Sequence, residues 1–201
     1  MVGANVKFTV HSVSIAIDGL CKRGEVERAK DLTEEMVTKG IEPDVFTYNT
    51  LINGYCNNGN LAKAKRLFEE IEKRGVSPNN VTYKALIDGY GKKGKTTKAH
   101  KLRGVMEAMG NISDVYTYAS LIHGELSSGE SAEALKLFSE MKQRSLTPDD
   151  VIYTASILSL SNLGKANEAL RLYDEMVVVG IKPIDCWVYS SIEGSHDRAR
   201  S

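Results

Sequence analysis

The chain contains four prolines, Pro43, Pro78, Pro148 and Pro183, and the gaps between them are 35, 70 and 35 residues. All four fall on one 35-residue grid, whose remaining point is held by Ser113. Gly24, Gly59, Gly94, Gly129 and Gly164 follow the same step without a break. So do Ala29, Ala64, Ala99, Ala134 and Ala169, then Leu32, Leu67, Leu102, Leu137 and Leu172, then Ile17, Ile52, Ile87, Ile122 and Ile157. A domain with a single core has no reason to repeat itself at a fixed interval, whereas stacked copies of one supersecondary unit do. The grid divides the chain into repeats 10–44, 45–79, 80–114, 115–149 and 150–184. Residues 1–9 are expected to be the tail of a partial preceding repeat, because Met1 falls in register with Met36, Met106, Met141 and Met176. Residues 185–201 are expected to begin another repeat and then run out into a polar tail, so the chain reads as a fragment, or a short diverged relative, of a longer array.

One unit gives the local structure. In 45–79, Tyr48, Leu51, Ile52 and Tyr55 recur at i, i+3, i+4 and i+7, one stripe of a helix. Asn57-Asn58-Gly59-Asn60 is a turn. Leu61, Ala64, Leu67, Phe68 and Ile71 form a second helical stripe, Gly75 supplies a left-handed cap, and Pro78 stops any continuation. Ala64 and its equivalents fall where two helices approach closely. A lone hairpin cannot bury both stripes. The expected fold is therefore all-α, a right-handed α-solenoid of helix–turn–helix repeats.

Composition removes several function classes. No stretch approaches the ~18 uncharged apolar residues of a membrane span. Three cysteines, Cys21, Cys56 and Cys186, make no disulfide scaffold. The first two are one step apart and read as equivalent small apolar residues. Basic and acidic residues balance at 26 each, which argues against a nucleic-acid binder that works by charge alone. It leaves room for one that reads single strands base by base.

The residues Val45-Phe46-Thr47-Tyr48-Asn49-Thr50-Leu51-Ile52-Asn53-Gly54-Tyr55-Cys56, then Leu67-Phe68-Glu69-Glu70 and Gly75-Val76-Ser77-Pro78-Asn79, resemble the pentatricopeptide repeat family. The ending Glu34-Glu35-Met36 to Gly40-Ile41-Glu42-Pro43-Asp44 does so too. The period is one residue longer than that of tetratricopeptide repeats. Uniform units of 35 residues point to the plain, P-type subclass.

The resemblance implies binding of single-stranded RNA at about one base per repeat. It assigns base reading to the fifth and last residues of each repeat: Ser14/Asp44, Asn49/Asn79, Lys84/Asp114, Ala119/Asp149 and Thr154/Ile184. A carboxylate is acceptor-only and suits the ring N–H of guanine or uracil, whereas an amide N–H suits the ring nitrogen of adenine or cytosine. A short serine or threonine leaves room for a purine, and a longer asparagine reaches a pyrimidine. Repeat 10–44 is thus expected to prefer guanine, and 45–79 cytosine with uracil second. The later pairs depart from the pattern. Lys84 has Asp114 or a phosphate as partners, Ala119 offers no hydrogen bond, and Ile184 cannot polarise Thr154. Base stacking falls to the second residues, His11, Phe46, Val81, Tyr116 and Val151. Phosphate contact falls to Lys22 and Lys92. The same polar residues also suit helix capping, since Asn, Ser, Thr and Asp at a helix start commonly do that.

Three other signals are set aside. Gly89-Tyr90-Gly91-Lys92-Lys93-Gly94-Lys95-Thr96 satisfies the phosphate-loop pattern, but that loop needs a strand before it, and here a helix of the repeat precedes. His123-Gly124-Glu125 resembles half of a zinc deaminase site and lacks the Cys-x-x-Cys. His11, His100 and His196 form no constellation with a serine or cysteine nucleophile. Lys65 with Glu69 and Arg66 with Glu70 are read as i, i+4 surface pairs. No enzyme activity, metal or cofactor is expected.

The expectation is a non-catalytic RNA-binding module supporting organellar transcript stabilisation or processing, with other protein factors as further partners. By resemblance its place is a mitochondrion or chloroplast of a plant. No targeting segment is readable in the chain, since residues 1–17 contain no arginine. The alternative is a protein-binding helical-repeat scaffold. A monomer is expected, with self-association through exposed end helices as the competing state.

Overall fold

The computed structural model describes residues 9–182 and contains ten α-helices and no strand among them. Pro183, Ile184, the terminal segments 1–8 and 185–201, and with them most of the partial repeat 1–9, lie outside the described residues. The helices are α1 Val10–Lys22, α2 Val26–Thr38, α3 Val45–Asn57, α4 Leu61–Lys73, α5 Asn80–Lys92, α6 Thr96–Ala108, α7 Val115–Ser127, α8 Ser131–Gln143, α9 Asp150–Asn162 and α10 Ala166–Val178.

Each helix exists for reasons visible in its own residues. In α4 the Asn60 side chain accepts from the Lys63 N–H and closes the first turn. Leu61, Ala64, Leu67 and Ile71 then bury one face. At the end, Gly75 takes φ +75°, its N–H donates to Glu72 O, and the Val76 N–H donates to Ile71 O at 3.0 Å. This paired closure satisfies carbonyls that the helix leaves open. Ser145 does the same work after α8 at φ 58°, the one non-glycine in the left-handed region among the described residues.

The described residues form two compact units. The first comprises 9–90 with Leu102–Ile112, and the second Gly91–Lys101 with 113–182. Within the first, α1 packs on α2, α3 on α4, and α1 on α3. Within the second, α7 packs on α8, α9 on α10, and α7 on α9. Ile17, Ile52, Ile87, Ala29, Ala64 and Ala99 are wholly inaccessible. Cys56 is buried whereas Cys21 is only half-buried. Burial first, and then Asp18, push the Cys21 thiol up to about 11, so at neutral pH it carries no thiolate to offer a metal or an electrophile. One expected ion pair is replaced. Glu70 holds Arg74 at 2.7 Å, on the turn opposite to Arg66, while Lys65 and Glu69 do pair.

Glycines set the spacing between consecutive odd-numbered helices. A Cβ on Gly54 would lie 2.9 Å from Cys21 Sγ, and one on Gly89 2.8 Å from Cys56 Sγ. In the second unit the thiol is replaced by Gly91, and a Cβ on Gly124 would meet Gly91 Cα at 2.8 Å. Here backbone packs on backbone. A Cβ on Gly91 would sit 2.7 Å from the Ser120 carbonyl oxygen, which cannot swing away as a side chain does. Overpacking of this kind costs about 1–3 kcal/mol, against a helix-propensity gain of about 1 kcal/mol for alanine over glycine. Gly91→Ala is expected to lower the urea midpoint, and Gly104→Ala, with nothing within 4 Å of its added Cβ, to raise it. Equal shifts in one direction would show that the approach of Gly91 to Ser120 is slack.

Candidate functional site

The polar residues singled out by the repeat pattern gather at the N-terminal turns of the odd-numbered helices. Asp44 caps α3, its Oδ1 accepting from Thr47 N at 2.9 Å and Thr47 Oγ1 at 2.8 Å. Asn79 caps α5, its Oδ1 accepting from Val81 N at 3.0 Å and Thr82 N at 3.2 Å. Asp114 caps α7 through Thr117, and Asp149 caps α9 through Ile152 N at 2.9 Å. Capping uses one side-chain oxygen. For Asp44 and Asp149 the second oxygen takes no protein partner among the described residues. The two roles open to these residues therefore do not compete for the same atom.

The fifth residues differ from one another. Asn49 is buried at 7% exposure, and its Nδ2 donates directly to Asn79 Oδ1 at 3.1 Å. Ser14, also buried, reaches Asp44 through an intermediary. Its Oγ lies 2.9 Å from Thr47 Oγ1, which itself bonds Asp44, and 2.7 Å from the Val10 carbonyl. Lys84 lies half-buried on α5 in the first unit, and Asp114 belongs to the second. Ala119 and Thr154 are half-buried in the second unit, and the partner of Thr154, Ile184, lies outside the described residues. Within the first unit the structure thus brings together Asn49 with Asn79 directly and Ser14 with Asp44 through Thr47.

The second residues sit on the first helical turns and face solvent. Phe46, Val81, Tyr116 and Val151 are each more than half exposed, unusual for residues of that size, and His11 is exposed as well. Exposed apolar side chains in one repeated position offer faces on which flat ligands can stack. Lys22 is exposed and paired with Asp18 at 2.6 Å, a contact that water and salt weaken easily. Lys92 is also exposed.

Thr47 takes part in the Ser14/Asp44 arrangement and Thr82 in the Asn49/Asn79 one, although the sequence reading did not single them out. Their signal was the recurrence of threonine at 47, 82 and 117, one repeat step apart. The other motifs resolve into different arrangements. Tyr83 to Asp88 are helical, so no strand leads into Gly89. His123 Nδ1 lies 3.3 Å from Ser127 Oγ, whereas Glu125 is buried and bonds His100 Nε2 at 2.7 Å. Among the described residues no cluster of His, Cys, Asp or Glu could hold a metal ion, and no helix is long and apolar enough to cross a membrane.

Comparison with known proteins gives a consistent result. A model of the PPR repeat family matches residues 9–57, 43–92, 81–126 and 114–158, and a PPR repeat model matches 151–181. The crystal structure of the pentatricopeptide repeat protein PPR10 from maize superimposes with a TM-score of 0.80 at 28% identity. The match covers 95% of this chain and 27% of that one. The same protein in complex with an 18-nt psaJ RNA element matches with a TM-score of 0.77 at 26% identity, over 96% of this chain and 28% of that one. The PPR domain of Arabidopsis thaliana protein-only RNase P 1, solved with tRNA, shares the fold with a TM-score of 0.77 at 18% identity, over 93% and 98% of the two chains. The all-helical solenoid class follows from these matches. The chain spans little more than a quarter of the maize protein's length. No curated protein sequence matches it.

Proposed function

Because the chain belongs to the pentatricopeptide (PPR) repeat family, we propose that it binds single-stranded RNA without catalysis, one base per repeat, through 10–44 and 45–79 above all. The observation that carries this is the Asn49–Asn79 bond. It brings a fifth and a last residue into one donor–acceptor unit beside the exposed faces of Phe46 and Val81. An aromatic and an aliphatic side chain in that position suit the two faces of a base, and stacking is worth about 1–3 kcal/mol per base. The Asn79 oxygen is taken up by the cap and by Asn49, so the pair presents N–H groups outward. Outward N–H groups favour a base with a ring-nitrogen acceptor, and the reach of asparagine favours cytosine over adenine. Asp44, with one oxygen outward beside short Ser14, favours guanine. The likeness to PPR10 bound to RNA supports the reading.

On this reading the N-terminal repeat lies toward the 5′ end, and the module stabilises or helps process transcripts in a mitochondrion or chloroplast. Selection from a random single-stranded RNA pool at two salt concentrations tests it. Adjacent guanine and cytosine, in that order, are expected to emerge. Affinity is expected to fall with salt at a logarithmic slope near −0.7 for each phosphate contacted. A pool that stays random removes base reading, and salt-indifferent retention favours a protein-binding scaffold instead.

A further inference from the structure

The hydroxyl of Thr82 belongs to the repeat after the Asn49–Asn79 pair, yet it touches both members. Backbone N–H groups can only donate, so the Asn79 atom that meets Val81 N and Thr82 N is its oxygen. The Asn49 atom facing that oxygen at 3.1 Å must then be the amide nitrogen. The other end of the Asn49 amide is therefore its oxygen, and it lies 2.6 Å from Thr82 Oγ1. An oxygen there needs a donor. The Thr82 hydroxyl supplies one, its proton going to this oxygen rather than to Asn79 Oδ1 at 3.2 Å, which already has three donors, while its lone pair accepts the Asn79 backbone N–H at 3.0 Å. The orientation of both amides follows from two backbone donors, and Asn79 Nδ2 is left without a protein partner among the described residues.

We propose that Thr82 is a positioning residue of the preceding repeat: its hydroxyl fixes the polarity of Asn49 and so keeps the Asn49–Asn79 edge donor-only. This rests on the base-reading function proposed above. Thr47 stands in the same relation to Ser14 and Asp44, at 2.9 and 2.8 Å. In that network two hydroxyl protons serve three contacts, counting the Val10 carbonyl, and the side chain being oriented is a hydroxyl rather than an amide. At the equivalent place after 115–149 stands Ile152, which has no hydroxyl, and the residue it would serve is Ala119, which has nothing to orient. The reading unit thus comprises three side chains, the third borrowed from the next repeat.

Thr82→Val keeps the shape and removes the hydroxyl, and Thr82→Ser keeps the hydroxyl. With the donor gone, the buried Asn49 oxygen has no partner and the amide is free to turn. In Thr82→Val the cytosine-over-uracil affinity ratio opposite 45–79 is expected to fall by about three- to tenfold, the worth of one hydrogen bond. The guanine-over-adenine ratio opposite 10–44 is expected to stay, and Thr82→Ser to restore the first ratio. An unchanged first ratio overturns the proposal, and so does a parallel fall of both ratios, which signals general loosening. A second measurement needs no RNA. The Asn49 side-chain amide protons, followed by NMR exchange in the free protein, are expected to lose protection in Thr82→Val, and equal protection in both proteins overturns the proposal. A wild type that ignores the base but shows this loss of protection removes the base-reading function and leaves the orienting role of Thr82 in place.

Discussion

His100→Ala is expected to destabilise the protein by about 2–3 kcal/mol, the cost of leaving a buried polar group without its partner. Glu125 is the group concerned. Its side chain is 4% exposed and its Oε1 sits 2.7 Å from His100 Nε2. Full loss of a buried ion pair costs more, but the His100 side chain is one-third exposed, and water shares in the contact. For a chain of this size the expected fall in melting temperature is about 4–12 °C. One repeat further on, the two positions carry Leu135 and Leu160, which line a common groove. The double variant His100→Leu, Glu125→Leu is therefore expected to recover most of the loss, since well-packed apolar pairs replace buried polar ones at little or no cost. Thermal unfolding of His100→Leu, Glu125→Leu and the double variant gives the coupling directly. A His100→Ala protein as stable as the parent would mean that Glu125 is hydrated in place, and the pair would then carry no stability.

That pair also marks where sequence reasoning stops. Residues fixed by the step of 35 were readable because equal positions in stacked repeats meet equal surroundings. Ile17, Ile52, Ile87, Ile122 and Ile157 are all buried to 1% exposure or less. The alanines that allow two helices to meet are buried to the same extent. His100 and Glu125 fall outside this logic. Each departs from the residue type of its equivalents, and they meet across 25 residues, a distance that no local periodicity addresses. The exchange of Arg66 for Arg74 at Glu70 has another cause. Both lie four residues away, and only the rotamer decides. Ser145 gave no warning either, since serine is not the residue that advertises a left-handed turn. Within the candidate site, the pattern named Asn49 and Asn79, and the structure bonds them. It did not name Thr82, because a threonine near a helix start has an adequate local explanation as part of a cap. Its second contact, 33 residues back in the chain, appears only once α3 and α5 lie side by side.

Asn79→Asp is expected to reverse the base preference of repeat 45–79 from cytosine to uracil. The substitution exchanges one outward N–H group for an outward oxygen and alters little else. The inward oxygen can still accept from Val81 N, Thr82 N and Asn49 Nδ2, and still faces the Thr82 hydroxyl at 3.2 Å, as it does now. Aspartate caps a helix as well as asparagine does, and its charge suits the positive end of α5. Folding stability should therefore change little, which separates this variant from those that act through packing. At the outward edge the effect is large. Cytosine offers a ring-nitrogen acceptor, which the Asn79 N–H meets and an aspartate oxygen repels, whereas uracil offers a ring N–H, for which the reverse holds. One correctly matched contact is worth about 1–3 kcal/mol. A preference of roughly tenfold in each direction then amounts to about a hundredfold change in the cytosine-to-uracil ratio. The added negative charge weakens binding to every RNA by a common factor, so the ratio, and not the affinity, carries the information. Competition between two oligonucleotides that differ only at the base opposite 45–79, run at one salt concentration, measures it. Equal ratios in the parent and the variant would mean that Asn79 serves α5 as a cap and nothing more.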